Sequence, residues 1–137
     1  MGDPVRHARG LVDTSVVVDM EQIPASRLPH EVAVSALTMA ELTAGPHAAT
    51  NADERGRRQD RLQRAEAAFD PLPFDAESAR AYGRIYSAVA AGGRKARGAR
   101  AVDLLIAATA LAARIPLYTR NAKDFQMISE LIDVVEI

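Results

Sequence analysis

The sequence predicts an α/β domain of three layers, with a central, mostly parallel sheet and helices on both faces. Short apolar runs, "GLV", "EVAVS", "IPLYT" and "VVEI", alternate with longer stretches that show helical spacing or helix caps, and this alternation implies a parallel sheet. Few aromatics among 48% hydrophobic residues indicate a close-packed core of Ala, Val, Leu and Ile rather than an aromatic-rich sandwich. A length of 137 residues suits one such core and no second domain.

Residues 1–10, with Gly, Pro and alternating charge, read as a flexible tail, so the domain is expected to span 11–137. A buried strand at 10–12 leads into a helix over 14–20, and "EVAVS" (31–35) forms the second strand. "ALTMAELTAG" reads as a helix closed by Gly45 and Pro46. The next helix opens at Thr50 or Asn51 with acids in its first turn and sets Leu62, Ala65 and Phe69 on one stripe. "PLPF" (71–74) is a short strand, and Asp75 caps a helix with Ala79, Tyr82, Tyr86 and Val89 at helical spacing that ends at Gly92 and Gly93. That helix packs either in the core or in a dimer. After the basic loop "RKARGAR", "VDLLIAATALAAR" is apolar enough for a buried helix, and two strands close the chain.

No apolar run reaches membrane-spanning length and the N-terminus lacks the apolar stretch of a signal peptide, so a cytoplasmic protein without a membrane partner is expected. The absence of cysteine removes disulfides, thiol nucleophiles and thiolate metal sites. A net charge of −1 gives no global sign of a nucleic-acid partner. His7, His30 and His47 are scattered through tail and loops and are assigned no chemistry.

Parallel sheets build their sites beyond the carboxyl ends of the strands. Asp13, ending the first strand, and residues 119–124, following the fourth, fall on that edge. Glu41 in "LTMAELTAG", Asp103 at the head of "DLLIAATA" and Asp124 in "LYTRNAKDF" are further acids where surface solubility is a poor explanation. Singly, Asp13 and Asp103 are explained as helix caps and Glu41 as a solvated helix residue. Jointly, ionised groups in apolar segments need a cation. Oxygen donors without Cys or His favour Mg²⁺ or Mn²⁺ over zinc, as one or two ions that activate water for displacement at phosphorus.

Four motifs, "LVDTSVVVD", "ALTMAELTAG", "DLLIAATALA" and "LYTRNAKDF", in this order over nearly the whole chain, resemble those of PIN-domain ribonucleases, most closely the VapC toxins of bacterial toxin-antitoxin pairs. The resemblance implies a PIN-like fold and an endoribonuclease dependent on Mg²⁺ or Mn²⁺, usually homodimeric, acting on RNA and neutralised by a VapB-type antitoxin. By position, Asp13 and Asp103 would be the principal metal ligands, with Glu41 and the last motif completing the catalytic site. Many relatives carry an acid where this chain has Asn121, so Asp124 either supplies the fourth carboxylate or caps the turn. Thr14, Thr119 and Asn121 are candidate polar supports around the ligands.

Arg94, Lys95, Arg97 and Arg100 precede Asp103 and are candidates for guiding RNA phosphates to the acids. Arg57, Arg61 and Arg64 share a helix face but are interleaved with acids, as on a solvated face or one that pairs with an acidic partner. A dehalogenase-type phosphatase would need an acid at Ser15, and a phospho-receiver would need an acidic pair before Asp13; neither is present. The competing reading from another class is a non-catalytic PIN domain that binds RNA or protein and loses nothing in EDTA.

Overall fold

The computed structural model describes residues 6–93 and 99–137, which form a four-stranded parallel sheet between two layers of helices. The strands are β1 (Arg9–Val12), β2 (Glu31–Ala33), β3 (Leu117–Thr119) and β4 (Val134–Glu136), in the order β2-β1-β3-β4. The helices are α1 (Thr14–Asp19), α2 (Ala36–Ala48), α3 (Ala52–Ala68), α4 (Ala76–Ala91) and α5 (Ala99–Ala113), with short 3₁₀ turns after α1 and β3.

Strand alternation divides the core in two. Leu11, Ala33, Leu117 and Val134 face α4 and α5, packing with Ile85 and Leu104; Val12, Val34, Tyr118 and Val135 face the other side, where Val16, Leu42 and Leu62 come from α1, α2 and α3. The two faces draw on consecutive residues of the same strands, which is why the strands read as unbroken apolar runs. Gly10 allows the sheet to close, because a Cβ there would lie 2.5 Å from Cε1 of the buried Tyr118 ring.

Several local expectations shift. The chain is already bound before Leu11: Arg9 pairs with Glu31 in the sheet, Arg6 Nε donates to the Leu28 carbonyl at 3.0 Å, and His30 N donates to the His7 carbonyl at 3.0 Å. Of the expected tail, residues 6–10 are therefore tied down, and 1–5 lie outside the described residues. Helix α2 runs through Gly45 and Pro46 to Ala48. A proline in the last turn costs an intrahelical bond, but the helix end is supported from α3, where Arg58 Nη1 donates to the Gly45 carbonyl at 2.9 Å. "PLPF" contributes only a single bridge, Ser35 to Leu72, since the prolines on either side of Leu72 have no N–H to extend a ladder.

The buried stripe of α4 is Ser78, Ala81, Ile85 and Val89; Ala79 and Tyr86 are exposed and Tyr82 is half-buried. Small residues let α4 approach the alanine-rich α5 closely, and the tyrosines sit at the margin, where their hydroxyls meet water. Among the described residues no helix is long and apolar enough to cross a membrane.

Candidate active site

The strand order reverses direction at β1, which has β2 on one side and β3 on the other. Parallel sheets open a crevice at such a switch point beyond the strands' carboxyl ends. Asp13 follows β1 there, and Asn121 and Asp124 follow β3. Glu41 reaches the same edge from α2, and Asp103 from the second turn of α5.

Asp13 is 5% exposed, and its Oδ1 caps α1 by accepting from Val16 N at 3.2 Å and from the Ser15 hydroxyl. The local explanation of this acid, a helix cap, is thus correct. It uses one oxygen only; among the described residues Oδ2 has no partner, so a cap and a ligand are compatible roles. Ser15 Oγ also accepts from Arg120 N at 3.2 Å, joining the ends of β1 and β3 at Asp13. Glu41 Oε1 accepts from Thr14 Oγ1 at 2.6 Å. Asp124 Oδ2 accepts from Asn121 Nδ2 at 2.9 Å, and Thr119 Oγ1 accepts from Asn121 N at 3.2 Å.

Asp103 is half-buried, and its carboxylate has no hydrogen-bond partner among the described residues. Burial, followed by the fields of Asp13, Glu41 and Asp124, pushes its carboxyl up from 3.8 to about 6, with Arg100 opposing. Asp13, Glu41 and Asp124 therefore each lie within electrostatic reach of Asp103. Yet among the described residues no three Asp, Glu or His side chains are gathered tightly enough to enclose an ion as they stand. Charge acts well beyond coordination distance, and Asp13, Glu41 and Asp124 each accept from a nearby side-chain donor. The donor chemistry fits a hard divalent cation: the acids supply oxygens only, the chain has no cysteine, and His7 and His30 precede the amino ends of β1 and β2.

The raised carboxyl makes stability depend on pH. Asp103 releases its proton near 3.8 when unfolded and near 6 when folded, so the folded state holds more protons between these values. Its contribution is fully present below pH 3.8 and is lost as pH rises through about 6. The displacement corresponds to at most about 3 kcal/mol, or about 1–2 kcal/mol after solvent screening of a half-buried group. In EDTA, Asp103→Asn is expected to melt higher than the wild type at pH 7.5 and to match it near pH 3.5, as scanning calorimetry at both pH values checks.

Of the predicted RNA-contacting residues, Arg94, Lys95 and Arg97 lie outside the described residues, and Arg100 is half-buried beside Asp103. Arg57, Arg61 and Arg64 line a cleft of about 500 Å³ between α3 and the end of α1, which holds none of the four site acids. Two of these arginines pair with acids of this chain, Arg57 with Glu54 and Arg64 with Glu21. Three supports went unrecognised in the sequence. Ser15 had a local cue in its spacing from Asp13; Thr38, 3.0 Å from Thr14 Oγ1, and Glu136, whose Oε1 accepts from Ala122 N at 2.9 Å, act across elements and had none.

A family model of the PIN domain matches residues 10–131. Ribonuclease VapC5 of Mycobacterium tuberculosis is 35% identical over 117 residues, covering 83% of this chain and 84% of that protein. Ribonuclease VapC of Rickettsia bellii is 31% identical over 126 residues, covering 88% and 91%. The crystal structure of VapBC-5, a member of the VapBC family of toxin-antitoxin systems from M. tuberculosis, contains a chain that aligns with a TM-score of 0.82 at 32% identity, covering 95% of this chain and 99% of that one. With a PIN model matched over residues 10–131 and a VapC relative 35% identical over most of both chains, the chain belongs to the PIN-domain family, among its VapC proteins.

Proposed function

We propose that this protein is the endoribonuclease toxin of a toxin-antitoxin pair, cutting RNA phosphodiester bonds with Mg²⁺ or Mn²⁺ and inhibited by a VapB-type antitoxin. One observation carries the reading: three acids from separate elements direct their fields onto a fourth, half-buried one. Concentrating negative charge destabilises the fold by itself, so it marks a site that works with a cation bound. Relatives named Ribonuclease VapC and a neighbour solved as a VapBC toxin-antitoxin system support the RNA substrate and the antitoxin partner.

Asp13 and Asp103 would be the principal ligands, with Glu41 and Asp124 completing the set. A bound Mg²⁺ or Mn²⁺ supplies Lewis-acid activation of water and neutralises charge at the scissile phosphate. The protein's part is to hold the carboxylates. Ser15 and Val16 N fix Asp13 at the head of α1, Thr14 fixes Glu41, and the neutral Asn121 donates to Asp124 and orients it. Arg100, with Arg94, Lys95 and Arg97 before it in sequence, would draw RNA phosphates toward Asp103. The active species is a homodimer in the cytoplasm.

The test uses purified full-length protein on single-stranded RNA, with its size measured by light scattering at the assay concentration. Cleavage is expected with Mn²⁺, none in EDTA, inhibition by a VapB-type antitoxin, and a dimeric mass. Cleavage that persists in EDTA would remove the metal reading, and RNA binding unaffected by EDTA without cleavage would make the protein a binding module.

A further inference from the structure

We propose that Thr38 is a positioning residue for Glu41: its buried hydroxyl anchors Thr14, which passes the bond to the carboxylate. The inference rests on the reading of Glu41 as a metal ligand.

Threonine hydroxyls inside helices usually bond back to the carbonyl four residues earlier. Thr43 does so with Met39 at 2.8 Å, and Thr109 with Leu105 at 3.1 Å. Thr38 does not. It stands in the first turn of α2, four residues after Val34, whose carbonyl instead accepts from Leu72 N at 2.8 Å. Thr38 is 0% exposed, and an unbonded hydroxyl there would be costly. Its one side-chain hydrogen bond among the described residues is with Thr14 Oγ1, 3.0 Å away on α1.

Proton counting sets the direction. Thr14 has a single hydroxyl proton and lies 2.6 Å from Glu41 Oε1, against 3.0 Å from Thr38. An ionised carboxylate only accepts, so Thr14 donates to Glu41 and Thr38 donates to Thr14. Thr38 and Glu41 are three residues apart on α2 and so share the face turned to α1. The chain of bonds runs from the packed interior to the site and holds a flexible glutamate in one orientation. Partners outside the ligand sphere typically tune metal affinity by about 10–100-fold.

The experiment is titration calorimetry of the full-length protein with Mn²⁺, beside cleavage kinetics as a function of Mn²⁺ concentration. Thr38→Val, nearly equal in volume, is expected to weaken Mn²⁺ binding about 10-fold, while Thr38→Ser stays within about twofold of the wild type. Because Thr38 acts through Thr14, adding Thr38→Val to Thr14→Val should change the dissociation constant by less than about twofold. An unchanged Mn²⁺ constant in Thr38→Val, no rescue by Thr38→Ser, or additive effects in the double variant would each overturn the proposal. A wild type that binds no Mn²⁺ would overturn the metal reading and this inference together, whereas failure confined to the variants leaves the metal reading intact.

Discussion

Asp13→Asn and Asp103→Asn are each expected to lower Mn²⁺-dependent RNA cleavage by about 10³-fold or more with the fold intact. A divalent ion at a phosphoryl centre contributes several kcal/mol of transition-state stabilisation, and about 4 kcal/mol corresponds to that factor. The fold survives for different reasons at the two positions. Asparagine caps helices as well as aspartate, and Asn at position 13 keeps an oxygen for Val16 N and Ser15. At position 103 the substitution removes a charge that burial and three acids already oppose. Cleavage rates are measured beside circular dichroism and melting; full activity in either variant removes that residue from the ligand set. Asp124→Asn is expected to lose less, since Asp124 already shares a hydrogen bond with the exposed Asn121.

Mn²⁺ is expected to stabilise the wild type by about 2.7 kcal/mol at a single site when present at about 100 times its dissociation constant. For a domain of this size that raises the melting temperature by roughly 10 °C. The gain should be absent from Asp13→Asn. Because Asp13 both caps α1 and faces the acids, the two contributions must be separated: the cap is worth about 1 kcal/mol, requires no ion and is retained by asparagine. Calorimetric scans of both proteins in EDTA and in excess Mn²⁺ do this. Equal responses to the ion would leave Asp13 with the cap as its only role.

Much of the fold was legible because its causes are local. Apolar runs gave all four strands to within a few residues, and Asn51 and Asp75 were readable as caps because the backbone amides that donate to them lie three residues ahead. Errors arose where a distant element overrode a local rule. Pro46 reads as a helix stop, but Arg58 of α3 supports the carbonyl beside it. Tyr82 and Tyr86 share an apolar stripe by spacing, while packing on α5 buries the side chains one position earlier, Ala81 and Ile85. "PLPF" is apolar enough for a strand and lacks the amide protons to be one.

The site divides in the same way. The sequence by itself determined which carboxylates stand in apolar segments, in what order and at which strand ends, since burial pattern and capping are short-range properties. Only the tertiary structure decided that three of them come within electrostatic range of Asp103. Asp13, Glu41, Asp103 and Asp124 span most of the chain, and their convergence follows from the strand order β2-β1-β3-β4, which brings the ends of β1 and β3 together and directs α2 and α5 to the same edge. It also decided how each acid is held. Hydrogen bonds such as Thr38 to Thr14 to Glu41 depend on ångström-scale approach between elements, and no spacing along the chain encodes that distance.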